Sequence, residues 1–203
     1  MTVHLHEGDL PPSVTLGGVV AVDTETMGLN PSRDRLCVVQ LSGGDGDAHL
    51  VRFLPGTYAA PNLSRLLADP AVLKIFHYAR FDVAVLRRFL GVAVAPIYCT
   101  KIASRLVRTY TDRHGLKDLV REILGIDLSK AEQSSDWGAP SLSEAQLRYA
   151  ATDVLHLHEL RSRLDAMLAR EDRTGLAAAC FTFVPTRAEL DLAGWPDLDI
   201  FAH

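Results

Sequence analysis

No stretch of this 203-residue chain approaches the ~18 consecutive apolar residues that a membrane span requires, and its first residues, MTVHLHEGDLPP, carry acids where a secretory leader has a basic and then an apolar region. The chain therefore reads as soluble, unexported and cytoplasmic, with no membrane partner. Cysteine is scarce: Cys37, Cys99 and Cys180 stand among apolar neighbours, none at the close spacing of zinc or redox pairs, so reduced, buried thiols are expected. An excess of base is missing too. The 21 Lys and Arg against 25 Asp and Glu leave a net charge of −4, which excludes the overall basic footprint of proteins that hold duplex nucleic acid mainly by its phosphates. Internal repeats and low-complexity runs are absent as well. What is present, 48% hydrophobic residues over this length, suffices for one domain with a sizeable core, with or without an appendage.

The periodicity changes halfway along the chain. GGVVAVDTET (17–26) is a nearly continuous apolar run rich in β-branched residues, as expected of a central strand buried on both faces. RLCVVQLS (35–42) and AHLVRF (48–53), separated by GGDGD, extend it into an antiparallel meander. A short helix around Leu63, Leu66 and Leu67, a strand at VLKIFH (72–77) and an amphipathic helix over 79–91 ended by Gly91 follow. Beyond residue 100 the spacing is helical, and Ser143 with Gln146 forms a capping box that opens a long helix of roughly 25 residues. Strands first and helices after, with helical crossovers between, describe an α/β architecture: a mixed β-sheet with packed helices. We divide the chain into a domain over residues 1–175 and an extension over 176–203. The extension is too apolar at Leu190, Leu192, Trp195, Leu198, Ile200 and Phe201 to remain a free tail, so it should dock on its own domain or on a neighbouring subunit.

Acids stand where a core should be. Asp23 and Glu25 end the most apolar strand and share a face, because side chains repeat every two residues along a strand. Two carboxylates ~4 Å apart repel by roughly 4 kcal/mol at an effective dielectric near 20, so such a pair needs a cation or a shared proton. Taken alone, the pair also fits a strand-end turn. Asp82 opens the helix after the strand at 72–77, where a carboxylate ordinarily compensates the helix dipole. Tyr149 and Asp153, four apart, lie one turn from each other on one helix face beside the small Ala150, Ala151 and Thr152.

In that order, D-x-E on a first strand, an Asp at a helix start and Y-x-x-x-D on a late helix resemble the DEDD exonuclease superfamily in its tyrosine-bearing branch. VDTET (22–26), FHYARFD (76–82), KIASRLV (101–107), HGLKDL (114–119), SDW (135–137) and YAATDVLHL (149–157) look like the exonuclease domain of ribonuclease D, over roughly residues 18 to 170. RDRLCVVQLS, TYTDRHGLK and the ending LDLAGWPDLDIFAH are similar to a narrower group, nanoribonuclease C, which lacks the C-terminal helical module of ribonuclease D. The resemblance implies a ribonuclease H-like, DnaQ-type exonuclease fold. It further implies a 3′-5′ exoribonuclease that finishes very short single-stranded RNA, especially diribonucleotides and linear pGpG, to nucleoside 5′-monophosphates. A homo-oligomer is implied too, with an octameric ring as its candidate form. The alternatives are a ribonuclease D-like processor of longer RNA 3′ ends, a DNA exonuclease, or an inactive nucleic-acid-binding module. The last sits poorly with the persistence of clustered, unpaired charge.

Under this resemblance Asp23, Glu25, Asp82 and Asp153 hold two Mg²⁺ or Mn²⁺ ions, hard cations that take oxygen ligands and whose charge offsets four carboxylates. Tyr149 orients the attacking water; with an ordinary pKa near 10 it is a poor base at neutral pH. Leu29, in D-x-E-x-x-G-L (23–29), is the candidate wedge between the two terminal bases, or a plain turn leucine. His77 and Arg80 are candidates for phosphate or sugar contact, with a satisfied core histidine and a surface ion pair as the alternatives. Arg113, His114 and Lys117 form a local basic group near a helix start, suited to a phosphate or simply solvated. His156 and His158 face apart and are not expected to bind metal, and Trp137 is expected to anchor its loop into the helix cap, with stacking on a base as the alternative.

Overall fold

The computed structural model describes residues 1–129, 132 and 135–203. Six strands, β1 (Val3–Glu7), β2 (Val19–Thr26), β3 (Leu36–Ser42), β4 (Ala48–Arg52), β5 (Leu73–Phe76) and β6 (Ile97–Cys99), form one mixed sheet in the order β1-β4-β3-β2-β5-β6. The expected meander is present: β2 pairs antiparallel with β3, and β3 with β4. β5 and β6 continue parallel on the other side of β2, and β1 closes the opposite edge parallel to β4. Two-sided burial explains the composition of β2, whose Val20, Ala21 and Val22 are fully buried, and of β3, buried throughout. The sheet and its packed helices are the ribonuclease H-like architecture of the DnaQ-type exonucleases. Neither β1 nor β6 was expected from the sequence; both are short strands at the sheet edges.

Among the described residues seven helices pack on or around the sheet: α1 (Pro61–Ala68), α2 (Ala79–Leu90), α3 (Thr100–Val107), α4 (Leu116–Leu124), α5 (Glu144–Leu155), α6 (Leu157–Arg170) and α7 (Thr174–Leu192). The sequence stops are visible in the backbone. Gly91 ends α2 in the left-handed conformation, at φ 66°, which only glycine adopts cheaply. Ser143 and Gln146 close a complete capping box at the start of α5. The long helix expected from residue 143 is instead two helices that break at His156. Each half follows a different partner, since α5 lies across β2, β3 and β4 while α6 packs on α3 and α4. The Thr152 hydroxyl, bonded back to the Arg148 carbonyl at 2.8 Å, adds the bend such back-bonds impose on a helix.

Helix α7 buries Ala177, Phe181, Val184 and Ala188 along one stripe against α2, α3 and β6. Cys37 and Cys99 are buried as expected, whereas Cys180 on α7 is only half-buried, because it lies off that stripe. Near the end of α7, Asp191 accepts from Arg80 Nε at 2.5 Å and Nη2 at 2.7 Å, and from Arg187 Nη2 at 2.7 Å. The guanidiniums of Arg80 and Arg187 also donate to the Pro196 carbonyl, which turns the last residues back along α7. One carboxylate, itself only 7% exposed, thus serves two arginines, of which Arg80 keeps a third of its side chain in solvent. Removing it leaves both without their anion, so Asp191→Ala should lower stability by about 1–3 kcal/mol, read as a shift in the urea midpoint at unchanged slope.

Candidate active site

Asp23 and Glu25 lie in the C-terminal half of β2 and point toward α5. Ala150 and Ala151, both fully buried, let α5 sit close on the sheet, and this brings Asp153 to them: one carboxylate oxygen from each of Asp23, Glu25 and Asp153 lies within 4.8 Å of the others. Asp82 stands in the first turn of α2, buried, where it accepts from the Thr24 hydroxyl at 2.7 Å. Thr24 lies between the two acids of β2, so strand alternation turns it to the other face and toward α2. The strand therefore supplies two carboxylates directly and fixes a third through its own hydroxyl. Register between β2 and β3 shifts at Glu25/Thr26, where the ladder opens into the cleft.

Burial raises the affinity of every one of these groups for protons. Asp23 is pushed up to about 7 by desolvation, and Glu25 to about 10 by desolvation and then by the charges of Asp23, Asp153 and Asp82. Asp82 and Asp153 are held well above the ordinary carboxylate range by burial and by Asp23. The Tyr149 hydroxyl is pushed up by burial and by the nearby Asp153, Glu25 and Asp23, so it stays protonated at neutral pH. Its ring is set by Trp137, 3% exposed, at a centroid distance of 6.1 Å. Trp137 thus packs on Tyr149 while also lining the cleft.

The cluster opens into a cleft of about 640 Å³, lined among others by Met27, Leu29, His77, Lys101, Lys117 and Trp137. Leu29 is 89% exposed at its rim, on a loop where Gly28 approaches the Asp34 carboxylate so closely that an added Cβ would lie 2.3 Å from it. His77 lines the wall with its Nδ1 2.9 Å from the Thr100 hydroxyl, and burial together with Lys101 lowers its pKa to about 3, so the ring is neutral. Lys117 lines the wall at the start of α4.

Three residues of the expected substrate set lie elsewhere. Arg80 does not line the cleft; Asp191 holds it against α7, and the ion-pair alternative describes it. His114 is buried with Nδ1 2.9 Å from the Ser104 hydroxyl. Its ring is drawn inward by the network around the fully buried Arg108, which bonds Ser104, Glu122 and the Arg113 carbonyl. Arg113 is exposed and does not line the cleft. Of the two expected non-ligand histidines, His158 bonds the Val19 carbonyl at 3.2 Å. Sequence reasoning missed Lys101, whose Nζ lies 4.1 Å from the centroid of the Tyr78 ring and whose stem lines the cleft; nothing but its place in KIASRLV marked it. It missed Gln40 as well. This residue is the register partner of Asp23 on β3, fully buried, and neither of its amide atoms is hydrogen-bonded among the described residues.

The donor set fits divalent cations. Carboxylate oxygens are the ligands hard cations take, and converging half-buried acids that repel one another, beside the buried Asp82, are what such cations relieve. A ribonuclease H-like sheet with four acids and a tyrosine at the end of its central strand defines a nuclease of the DEDD class. Residues 11–169 match the 3′-5′ exonuclease family, and the chain belongs to that family, in its NrnC group. A nuclease solved in its apo form is 60% identical with a TM-score of 0.98, covering 100% of this chain and 99% of that one. NrnC of Brucella melitensis with bound Mg²⁺ is 55% identical with a TM-score of 0.96 and full coverage of both chains; the same protein bound to pGG is 56% identical with a TM-score of 0.97, covering 100% and 99%. Ribonuclease D of Gluconacetobacter diazotrophicus is 38% identical over 160 residues, 79% of this chain and 40% of the relative. The chain thus spans about two fifths of the length of the curated ribonuclease D relatives it matches first. No helix among the described residues is long and apolar enough to cross a membrane.

The raised pKa values fix the sign of a pH effect. From ordinary values of 3.8 and 4.5, Asp23 and Glu25 rise to about 7 and about 10, so the folded state holds protons that the unfolded state has lost. Their contribution is fully present below about pH 4 and is lost as pH rises through the folded values. In EDTA the melting temperature should therefore fall between pH 5 and pH 8. Saturating Mg²⁺ or Mn²⁺ should raise it more at pH 8 than at pH 5, and Asp153→Asn should melt higher than wild type in EDTA while losing that gain.

Proposed function

We propose that the chain is a metal-dependent 3′-5′ exoribonuclease acting on very short single-stranded RNA, diribonucleotides and linear pGpG foremost, and releasing nucleoside 5′-monophosphates. The observation that carries it is the convergence of Asp23, Glu25 and Asp153 within 4.8 Å, with Asp82 fixed beside them through Thr24, at the floor of a small cleft. The likeness to an NrnC bound to pGG over the full chain supports the short substrate. So does the cleft volume of about 640 Å³, which lies in the ~300–1,000 Å³ range of sites that enclose a small ligand.

Asp23, Glu25 and Asp153, with Asp82 beside them, would hold two Mg²⁺ or Mn²⁺ ions. When bound, these ions polarise the scissile phosphate, acidify the attacking water and stabilise the leaving oxygen. Water adds to phosphorus, the bond from phosphorus to the 3′-oxygen breaks, and that oxygen leaves as the 3′-hydroxyl of the shortened chain. Tyr149, protonated and set by Trp137, holds the water in line and keeps Asp153 oriented. Leu29 wedges between the terminal bases from the rim, while Lys101 and Lys117 on the wall attract the phosphates and His77 offers a neutral hydrogen-bonding edge. Arg113, exposed near the start of α4, meets a 5′ phosphate only if that phosphate reaches past the cleft. The protein acts in the cytoplasm as a homo-oligomer, in a ring of eight. The exposed Trp195, Leu198, Ile200 and Phe201 supply the apolar surface for subunit contact.

The deciding measurement compares kcat/KM for two- and seven-nucleotide RNAs at matched salt, with and without EDTA. A clear preference for the dinucleotide, lost in EDTA, is expected; an equal or faster seven-mer would instead favour the ribonuclease D-like reading on longer 3′ ends, and a faster DNA oligomer the DNA exonuclease one. Asp23→Ala and Asp153→Ala should abolish turnover and Mn²⁺ binding. Tyr149→Phe should keep Mn²⁺ binding in calorimetry yet lower kcat by roughly 10²-fold, since the ring positions water without ligating an ion. Deleting residues after Gly194 should reduce the mass measured by light scattering to that of a smaller assembly.

A further inference from the structure

Three of the eight histidines gather on the sheet edge remote from the carboxylates. His4 and His6 are two apart on β1 and so share a face, and His49 on β4 is the register partner of His4. The same alternation, carried through the pairs Leu41 with His49 and Val22 with Leu41, places these rings on the sheet face opposite to Asp23 and Glu25. Ring centroids lie 4.7 Å apart for His4 and His49, 5.3 Å for His6 and His49, and 6.5 Å for His4 and His6. His6 Nε2 is 3.0 Å from His49 Nδ1, and an Asp47 carboxylate oxygen is 3.6 Å from His4 Nε2.

We propose that His4, His6 and His49, with Asp47 as the oxygen donor, form a second cation site, for a borderline transition-metal ion of the Zn²⁺ class. The ligand chemistry separates it from the acidic cluster: imidazole suits zinc, nickel and copper, whereas an all-carboxylate site suits magnesium and manganese. The spacing supports it. Zinc binds imidazole nitrogen at ~2.0–2.1 Å in tetrahedral sites, so two nitrogens on one ion stand roughly 3.3 Å apart. The His6 and His49 nitrogens already stand 3.0 Å apart in a hydrogen bond that an ion would replace, and the His4 ring and the Asp47 carboxylate have to turn about their side-chain bonds to bring all four donors onto one ion. All three rings are half-buried, which leaves room for that turn and a path for the ion. An ion there clips β1, a strand of five residues paired only with β4, to the rest of the sheet.

The test is Zn²⁺ titration calorimetry on the full chain in saturating Mg²⁺, which keeps the carboxylate site filled, together with thermal melting. One Zn²⁺ per chain and a higher melting temperature are expected. His49→Gln should weaken the binding by at least about tenfold, the least that losing even a supporting group of a metal site costs. Because His49 is hydrogen-bonded to His6, His4→Gln serves as a second variant that spares that bond; it should fold normally and also lose affinity, while His203→Gln binds like wild type. Unchanged Zn²⁺ affinity in both cluster variants would overturn the proposal. So would loss of the Zn²⁺ signal in Asp153→Asn with all three histidines intact.

Discussion

Carboxylates repel one another, and Asp23, Glu25, Asp82 and Asp153 stay together because backbone elements hold them there and not because their side chains attract. Each is anchored on a segment whose position is settled by apolar burial elsewhere: β2 by two-sided packing in the sheet, α2 by its buried Val83, Ala84, Val85 and Leu86, and α5 by Ala150, Ala151 and Val154. The hydrophobic core therefore supplies the free energy that keeps the acids close. At roughly 1.5–3 kcal/mol for each fully buried Val or Leu side chain, a few such residues outweigh the repulsion between neighbouring carboxylates. The raised pKa values of these acids express their desolvation and the same repulsion.

Placement at the end of a central strand has a geometric cause. Alternation along β2 gives Asp23 and Glu25 to one face and Thr24 to the other, so a three-residue segment reaches both the helix above the sheet and the helix below it. Asp153 arrives from α5 and Asp82 from α2, and the two helices need no direct contact with each other to complete the cluster. The break at His156 belongs to the same arrangement. Were α5 and α6 one straight rod, the helix could not both lie across β2, β3 and β4 and pack on α3 and α4.

What was legible in the sequence follows from how local each signal is. The central strand, the meander, the Gly91 stop and the Ser143 capping box rest on neighbours within a few residues, and all are present. The acids could be singled out because charge at the end of an apolar strand is costly wherever it occurs. The break at His156, the edge strands β1 and β6 and the fates of Arg80 and His114 depend instead on distant partners. Asp191 lies more than a hundred residues after Arg80, and nothing near FHYARFD announces that it will draw the guanidinium away from the cleft. His114 likewise reads as part of a basic surface, but Arg108, fully buried six residues before it, gathers Ser104 and the Arg113 carbonyl around itself.

Gln40 shows the cost of the same design on the face that carries the acids. A carboxamide sealed in a sheet without partners forfeits about 1–3 kcal/mol for each unsatisfied group, and a leucine of similar size would forfeit none. Its place opposite Asp23, on the face where α5 closes over the sheet, gives the amide a reason to be there that stability does not. An apolar residue at this position would lower the local dielectric beside the acids further and make their ionisation harder still, so the polar side chain costs the fold stability at the one place in the sheet where charge has to be carried.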